Sequence, residues 1–206
     1  MLRQIITRLL AVLPILFGLS IFVFLLVHLA PGDVTDALLG PMATDEAKEK
    51  LRVALGLDRP LVVQYAKWIG QVLQGDFGIS VHTQRAVSEV VLPRFGNTVI
   101  LALASLLLAL VVGFFVGMYA AARSYSTFDR VSMSVTLVVG STPPYWLALL
   151  LVFAWPGLGN QLYYSIVARD VPVVQAAILI IALAFVLVNL AIDILNAFLD
   201  PRVRVV

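Results

Sequence analysis

Residues 97–122 read NTVILALASLLLALVVGFFVGMYAAA, with no charged side chain before Arg123. About 20 such residues cross a bilayer as a helix, because hydrocarbon offers backbone groups no partner outside their own helix. A second apolar stretch, 128–154, follows after a short polar loop, so the two form a hairpin of spans. Working outward, apolar runs at 9–30 and 173–199 add a first and a last span. The pattern predicts an all-α polytopic membrane bundle of about four transmembrane helices, with a short helical external segment after the first.

Within 97–122, Ser105, Ala109, Gly113, Gly117 and Ala121 recur every fourth residue. That spacing builds a ridge of small side chains, a helix-packing surface on which a neighbour can approach closely. Because the ridge turns slowly about the axis, it predicts an inclined crossing. Ordinary span packing and a sliding surface in a moving transporter both fit it. The second stretch opens with Ser126-Thr127-Phe128-Asp129, a hydroxyl followed three residues later by an acid, which resembles a helix-start box. It is broken at Ser141-Thr142-Pro143-Pro144, where two prolines remove two backbone donors. A simple kink and a break lining a pathway are both compatible with that sequence.

Composition bounds the function. The chain has 206 residues, 61% hydrophobic and 13% charged, and its mean hydropathy is +1.01. A soluble domain of this size does not carry so much apolar surface. A net charge of +2 gives no nucleic-acid footprint. Without cysteine there is no disulfide, thiol catalysis or thiolate metal site. His28 and His82 stand far apart, with no acidic cluster of metal-ligand spacing beside them. His28, at the outer end of the first span, reads as an interfacial residue. No nucleophile and base come together in the pattern, so the reading is not an enzyme, and it calls for no cofactor and no metal.

Taken in order, residues 1–30 form an N-terminal transmembrane helix. Its apolar run is longer than a signal-peptide core and ends in HLAPGD instead of a small-residue cleavage site. Residues 31–96 form an external helical or interfacial segment. There Thr44 caps a helix that Gly56 stops, with Ala47, Leu51 and Leu55 on one face. Pro60 takes a first helical position, and Leu61, Tyr65, Trp68 and Val72 make a stripe ended by Gly75-Asp76-Phe77-Gly78. A third piece, 85–92, is expected to stop at Pro93. Residues 97–206 form the transmembrane core, with spans near 97–122, 128–154 and 173–199. Tyr163 and Tyr164 suit headgroup level, and Asp170 and Pro172 open the last span. On that span Asn189, Asp193 and Asn196 share a face. A carboxylate near hydrocarbon faces the bundle or water, so Asp193 is either an interfacial charge or a group on a path.

Four spans put Arg3, Arg8, Arg123, Arg130, Arg202 and Arg204 on one side, with Arg169 in the short opposite loop. Basic residues collect on the cytoplasmic side, so both termini are expected there and 31–96 outside.

Several separated stretches, in order, resemble a known family. RQIITRLLAVLPILFGLSIFVFLLVHLAPGD (3–33), LGLDRPLVVQYAKWIGQVLQGDFGIS (55–80), RFGNT (94–98), STPPYWLALLL (141–151), FAWPGLG (153–159) and VNLAIDILNAFLDPRVR (188–204) are similar to the first permease subunit of dipeptide, oligopeptide and nickel ABC importers. The resemblance implies a multi-pass subunit of the bacterial inner membrane. Its implied partners are a second permease, two cytoplasmic ATPase subunits and an external solute-binding protein. On the family pattern, Ser141, Thr142, Pro143 and Tyr145 at the broken span, with Asn189 and Asp193 on the last one, are candidate path-lining residues. The chain departs from the family in one place. Members have six spans, with a cytoplasmic coupling loop between the fourth and fifth, whereas here LALLLV runs directly into FAWPGLG. Two spans and the loop through which an ATPase pushes are absent between Val152 and Phe153. Two functions follow as expectations: a permease subunit forming part of a solute path, or a non-transporting membrane scaffold, a shortened remnant that inserts and associates with a partner permease.

Overall fold

The structure is a computed structural model, and it describes residues 2–29, 35, 39–40 and 42–199. Expectations resting on the side chains of Arg3, Arg8, Leu51 and Leu55, and on Arg202 and Arg204, lie outside the described residues. The helices run in the order α1 (Leu2–Leu29), α2 (Asp45–Leu55), α3 (Leu61–Leu73), α4 (Val87–Ala122), α5 (Thr127–Gly140), α6 (Pro144–Ala154), α7 (Leu158–Val167) and α8 (Val171–Leu199). Among the described residues the architecture is all-α, with one isolated antiparallel bridge between Ile79 and Ala86.

Local chemistry sets most boundaries. The Thr44 side chain accepts a 3.4 Å hydrogen bond from the Ala47 amide and so satisfies an orphan donor of α2. Gly56 closes that helix at φ 72°, a left-handed conformation that suits a residue without Cβ. Ser126 caps α5 by accepting from the Asp129 amide at 3.2 Å, while the Asp129 carboxylate accepts from the Tyr125 amide at 2.9 Å. Pro143 caps α6 and Pro144 is its first residue, where a missing N–H costs nothing. The two prolines thus end α5 and start α6 with a bend of 75°.

Two boundaries differ from the sequence reading. Pro60 is the N-cap of α3, one position earlier than expected, and the helix begins at Leu61. More consequentially, α4 passes straight through Pro93, so the short piece at 85–92 and the span from Asn97 are one helix. Pro93 lies in the second turn of that helix. It removes only the bond to the Glu89 carbonyl, which that end of the helix tolerates.

Among the described residues, α4 and α8 (its stretch Val171–Asn196) are each long and apolar enough to cross a membrane, and the bent pair α5–α6 is a third candidate. In α1 the described side chains give an apolar stretch at Leu10–Leu26. The helix itself has 28 residues, about 42 Å at 1.5 Å per residue, more than a hydrocarbon core of about 30 Å.

The chain divides into two compact units, 1–91 with 164–206, and 92–163. In the first, α1 packs on α8 and on α3. Ser20, Val23 and Phe24 of α1 are buried, as are Val173, Ala176 and Ala177 of α8. Both sets follow i, i+3, i+4 spacing, which puts each on one helical face. Alanines at the contact let backbones approach closely. In the second unit, α4, α5 and α6 are apolar and exposed over nearly their whole length.

Candidate functional site

Two polar junctions tie helix ends together, and each belongs to one unit. The first lies at Asp170, just before α8. Its carboxylate is 3% exposed and is enclosed by the turn that precedes α4. Ser80 Oγ donates to Asp170 Oδ2, and the Val81 and His82 amides donate at 3.1 and 3.4 Å. Ser80 Oγ in turn accepts from the Thr83 amide at 3.0 Å and the Thr83 hydroxyl at 2.8 Å. A carboxylate so enclosed needs several donors to replace lost hydration, and this turn supplies three. The sequence reading saw Asp170 only as a helix opener. Its partners lie about ninety residues away, beyond any local pattern.

The second junction joins RFGNT to WPGLG. Asn97 Nδ2 donates to the Pro156 carbonyl at 2.9 Å, and Arg94 Nη1 reaches the same oxygen at 3.4 Å. Trp155 Nε1 donates to the Asn97 carbonyl at 3.0 Å, while the Leu158 amide donates to Thr98 Oγ1 at 2.9 Å. Gly157 sits where a Cβ would lie 2.7 Å from Thr98 Oγ1 and 3.0 Å from Trp155 Cδ1. Only glycine lets the loop come this close. Because Trp155 follows the last residue of α6, the end of α6 stands level with Asn97 on α4. The bent α5–α6 pair therefore returns across the same thickness that α4 crosses from Thr98 to Ala122, about 36 Å at 1.5 Å per residue.

The α1–α8 contact joins the two ends of the first unit's sequence. Gln175 Nε2, in the first turns of α8, donates to the Val23 carbonyl in the last turns of α1 at 3.4 Å. The first turns of α8 thus meet the last turns of α1.

The candidate path residues fall in both units. At the break, Ser141 Oγ donates to the Leu137 carbonyl at 2.7 Å and Thr142 Oγ1 to the Val138 carbonyl at 3.3 Å. These hydroxyls serve carbonyls at the proline-broken end of their own helix, so the break is satisfied locally. Ser141, Pro143 and Tyr145 are exposed and Thr142 is half-buried. On α8, Asp193 is half-buried, one turn on from the exposed Asn189. Ser105, Ala109, Gly113, Gly117 and Ala121 are exposed along α4, and a Cβ on Gly113 or Gly117 would meet nothing within 4 Å. Among the described residues the ridge carries no neighbour at those two positions. Near the tip of the hairpin, a concavity of about 590 Å³ is lined by Phe115, Val116, Met118, Tyr119, Ala122 and Phe128, and the Arg123 guanidinium lies 5.3 Å from the Tyr119 ring centre.

Described residues that are almost wholly helical, with helices long and apolar enough to cross a membrane, are those of a polytopic membrane protein. Residues 1–102 match the N-terminal model of the binding-protein-dependent transport system membrane components, and residues 147–205 match the binding-protein-dependent transport system inner membrane component. The chain belongs to this family of inner-membrane permease components, among the peptide-type ABC permeases. It is 28% identical to the glutathione transport system permease protein GsiC of Escherichia coli strain K12 over 304 residues, covering 99% of each chain. The same figures hold for the proteins of that name from Shigella flexneri serotype 5b and Salmonella choleraesuis strain SC-B67. The alignments run over 304 residues against a chain of 206, so the relatives are longer than this chain.

Proposed function

We propose that this chain is a membrane-spanning subunit of a peptide-type (dipeptide, oligopeptide or nickel) ABC importer that forms part of the solute path and performs no catalysis of its own. One observation carries the reading: the RFGNT and WPGLG motifs close into a single hydrogen-bonded junction although the chain is short. On this reading the four apolar stretches cross the membrane in an up-and-down course. With that course, Arg123 and Arg130 face the cytosol, both termini lie there, and the Asp170 clasp and the segment 31–86 lie outside. A second permease completes the bundle, an external solute-binding protein delivers the solute, and two ATPase subunits drive the assembled importer. Ser141, Thr142, Pro143, Tyr145, Asn189 and Asp193 are the side chains we assign to the path. Asp193→Asn is expected to lower uptake of a dipeptide in cells carrying all partners, and unchanged uptake removes that charge from the path. A reporter fused after Val206 is expected to be active in the cytosol.

A specific observation favours a second reading. Between Ala122 and Thr127 the turn joining α4 to α5 holds four residues, too few for an element against which an ATPase could push. On this reading the missing block lay between Val152 and Phe153, and the chain is a scaffold that binds a partner permease without transporting. Purification in mild detergent separates the two. Retention of an ATPase subunit supports coupling, whereas a partner permease retained without any ATPase supports the scaffold.

A further inference from the structure

We infer that the concavity at the tip of the α4–α5 hairpin holds one phospholipid with an anionic headgroup. It measures about 590 Å³ and is lined by Phe115, Val116, Met118, Tyr119, Ala122 and Phe128. Sites for small ligands span roughly 300–1,000 Å³, so the space is of the right order. Residues 115, 118, 119 and 122 follow i, i+3, i+4, i+7 spacing, and α4 thus gives the groove one continuous face. Phe128, in the first turn of α5, closes its side. The Phe128 and Tyr119 rings meet edge to face with centroids 4.7 Å apart. Phe115 and Tyr119 are 60% and 45% exposed, so the wall is open to an acyl chain.

The charge at the mouth of the groove selects the headgroup. Arg123 is the first charged residue after the run from Asn97, so it stands where α4 leaves hydrocarbon. Its guanidinium lies 5.3 Å from the Tyr119 ring centre, at the end of the groove. Among the described residues no carboxylate forms an ion pair with it. Asp129, the acid of the same turn, is half-buried and accepts from the Tyr125 amide at 2.9 Å. Arg130 comes two positions after Phe128 and falls on the opposite face of α5.

An apolar slot with one unpaired cation at its surface end has the polarity of a phospholipid. The acyl chain fills the slot, and the headgroup charge meets Arg123. A zwitterionic headgroup brings its own ammonium, which competes with Arg123 for the phosphate. A soluble anion has no tail and leaves the aromatic wall uncovered. Binding of this kind needs α4 to cross the bilayer and does not need transport, so uptake assays succeed or fail independently of it.

Native mass spectrometry of the full chain tests this, after mild detergent extraction from vesicles of phosphatidylglycerol and phosphatidylethanolamine in equal amounts. The parent is expected to retain one phosphatidylglycerol, preferred about fivefold over phosphatidylethanolamine, the worth of one basic group at an anionic surface. Arg123→Gln is expected to remove that preference. Arg130→Gln loses the same charge from the other face of α5 and is expected to keep it. Ala122→Leu fills the groove with its own side chain and is expected to lower retention of both lipids, and Met118→Trp replaces it if Ala122→Leu lowers the helical content. A parent that retains no lipid, both lipids equally, or a second protein chain in their place overturns the inference. So does a preference that survives Arg123→Gln or is lost equally in Arg130→Gln, or retention unchanged when the groove is filled.

Discussion

The two compact units differ in how far they cover their apolar surface. In the first, α1 packs on α3 and on α8 around Ser20, Val23 and Phe24 while Leu13, Phe17 and Phe185 stay exposed, and polar groups enclose the Asp170 carboxylate. In the second, α4, α5 and α6 leave large side chains such as Leu107, Phe114 and Val138 exposed, and the specific contacts gather at the two ends of the hairpin. Lipid tails are as apolar as leucine, so exposure in a bilayer carries no penalty and a span can be stable without neighbours. Polar groups have no such freedom. The comparison teaches that in this chain direction and pairing are set by a few hydrogen-bonded junctions, and the apolar lengths set only how far each helix reaches.

The comparison breaks most easily at Asp170. Asp170→Ala leaves Ser80 Oγ and two amides of the turn before α4 without their acceptor, a loss of about 3 kcal/mol. It should appear as a lower unfolding midpoint for the first unit and early proteolysis near residues 78–86. A midpoint like the parent's would mean that the clasp contributes nothing. Gly157→Ala comes next. Its Cβ would press on Thr98 Oγ1, and the expected cost is about 2 kcal/mol, the scale of overpacking. Faster exchange at the Leu158 amide is the readout, and an unchanged amide would say that the loop can shift.

Two milder substitutions sharpen the contrast. Tyr65→Phe removes the hydrogen bond to Ser20 and keeps the aromatic packing, so α3 should loosen by about 1 kcal/mol in a thermal melt. Gly113→Ala, on the uncovered ridge, should change the stability of the isolated chain by less than about 0.5 kcal/mol. If that ridge receives a partner permease, the same variant should weaken the pair in mild detergent. Glycine is thus decisive at 157 and indifferent at 113 within one polypeptide, because only one of the two has a neighbour.

Much of this was legible in the residues. The caps at Thr44 and Ser126, the stop at Gly56 and the break at Pro143-Pro144 are local chemistry, and each appears where the sequence places it. Pro93 misled because a single proline early in a helix removes one bond and no more, a cost the helix can bear when nothing else ends it. Asp193 drew attention as a charge near hydrocarbon, whereas Asp170, a buried carboxylate with three donors, looked like an ordinary helix opener. The small-residue ridge on α4 was visible by its spacing, yet the chain makes its own close contact elsewhere, at Ala176 and Ala177 of α8. Alanines are too common in apolar runs to mark such a face.

By itself the sequence determined that this is a multi-pass helical membrane chain, where its helices break, and the order of the motifs that tie it to its family. Those properties depend on residues within a few positions of one another, on the length of apolar runs, and on the backbone's need to satisfy itself in hydrocarbon. Only the tertiary structure decided that RFGNT meets WPGLG, that the start of α8 meets the end of α1, and that Asp170 belongs to the turn at Ser80. Such pairings join residues tens of positions apart, and they depend on which buried polar group finds its partner when the helices come together.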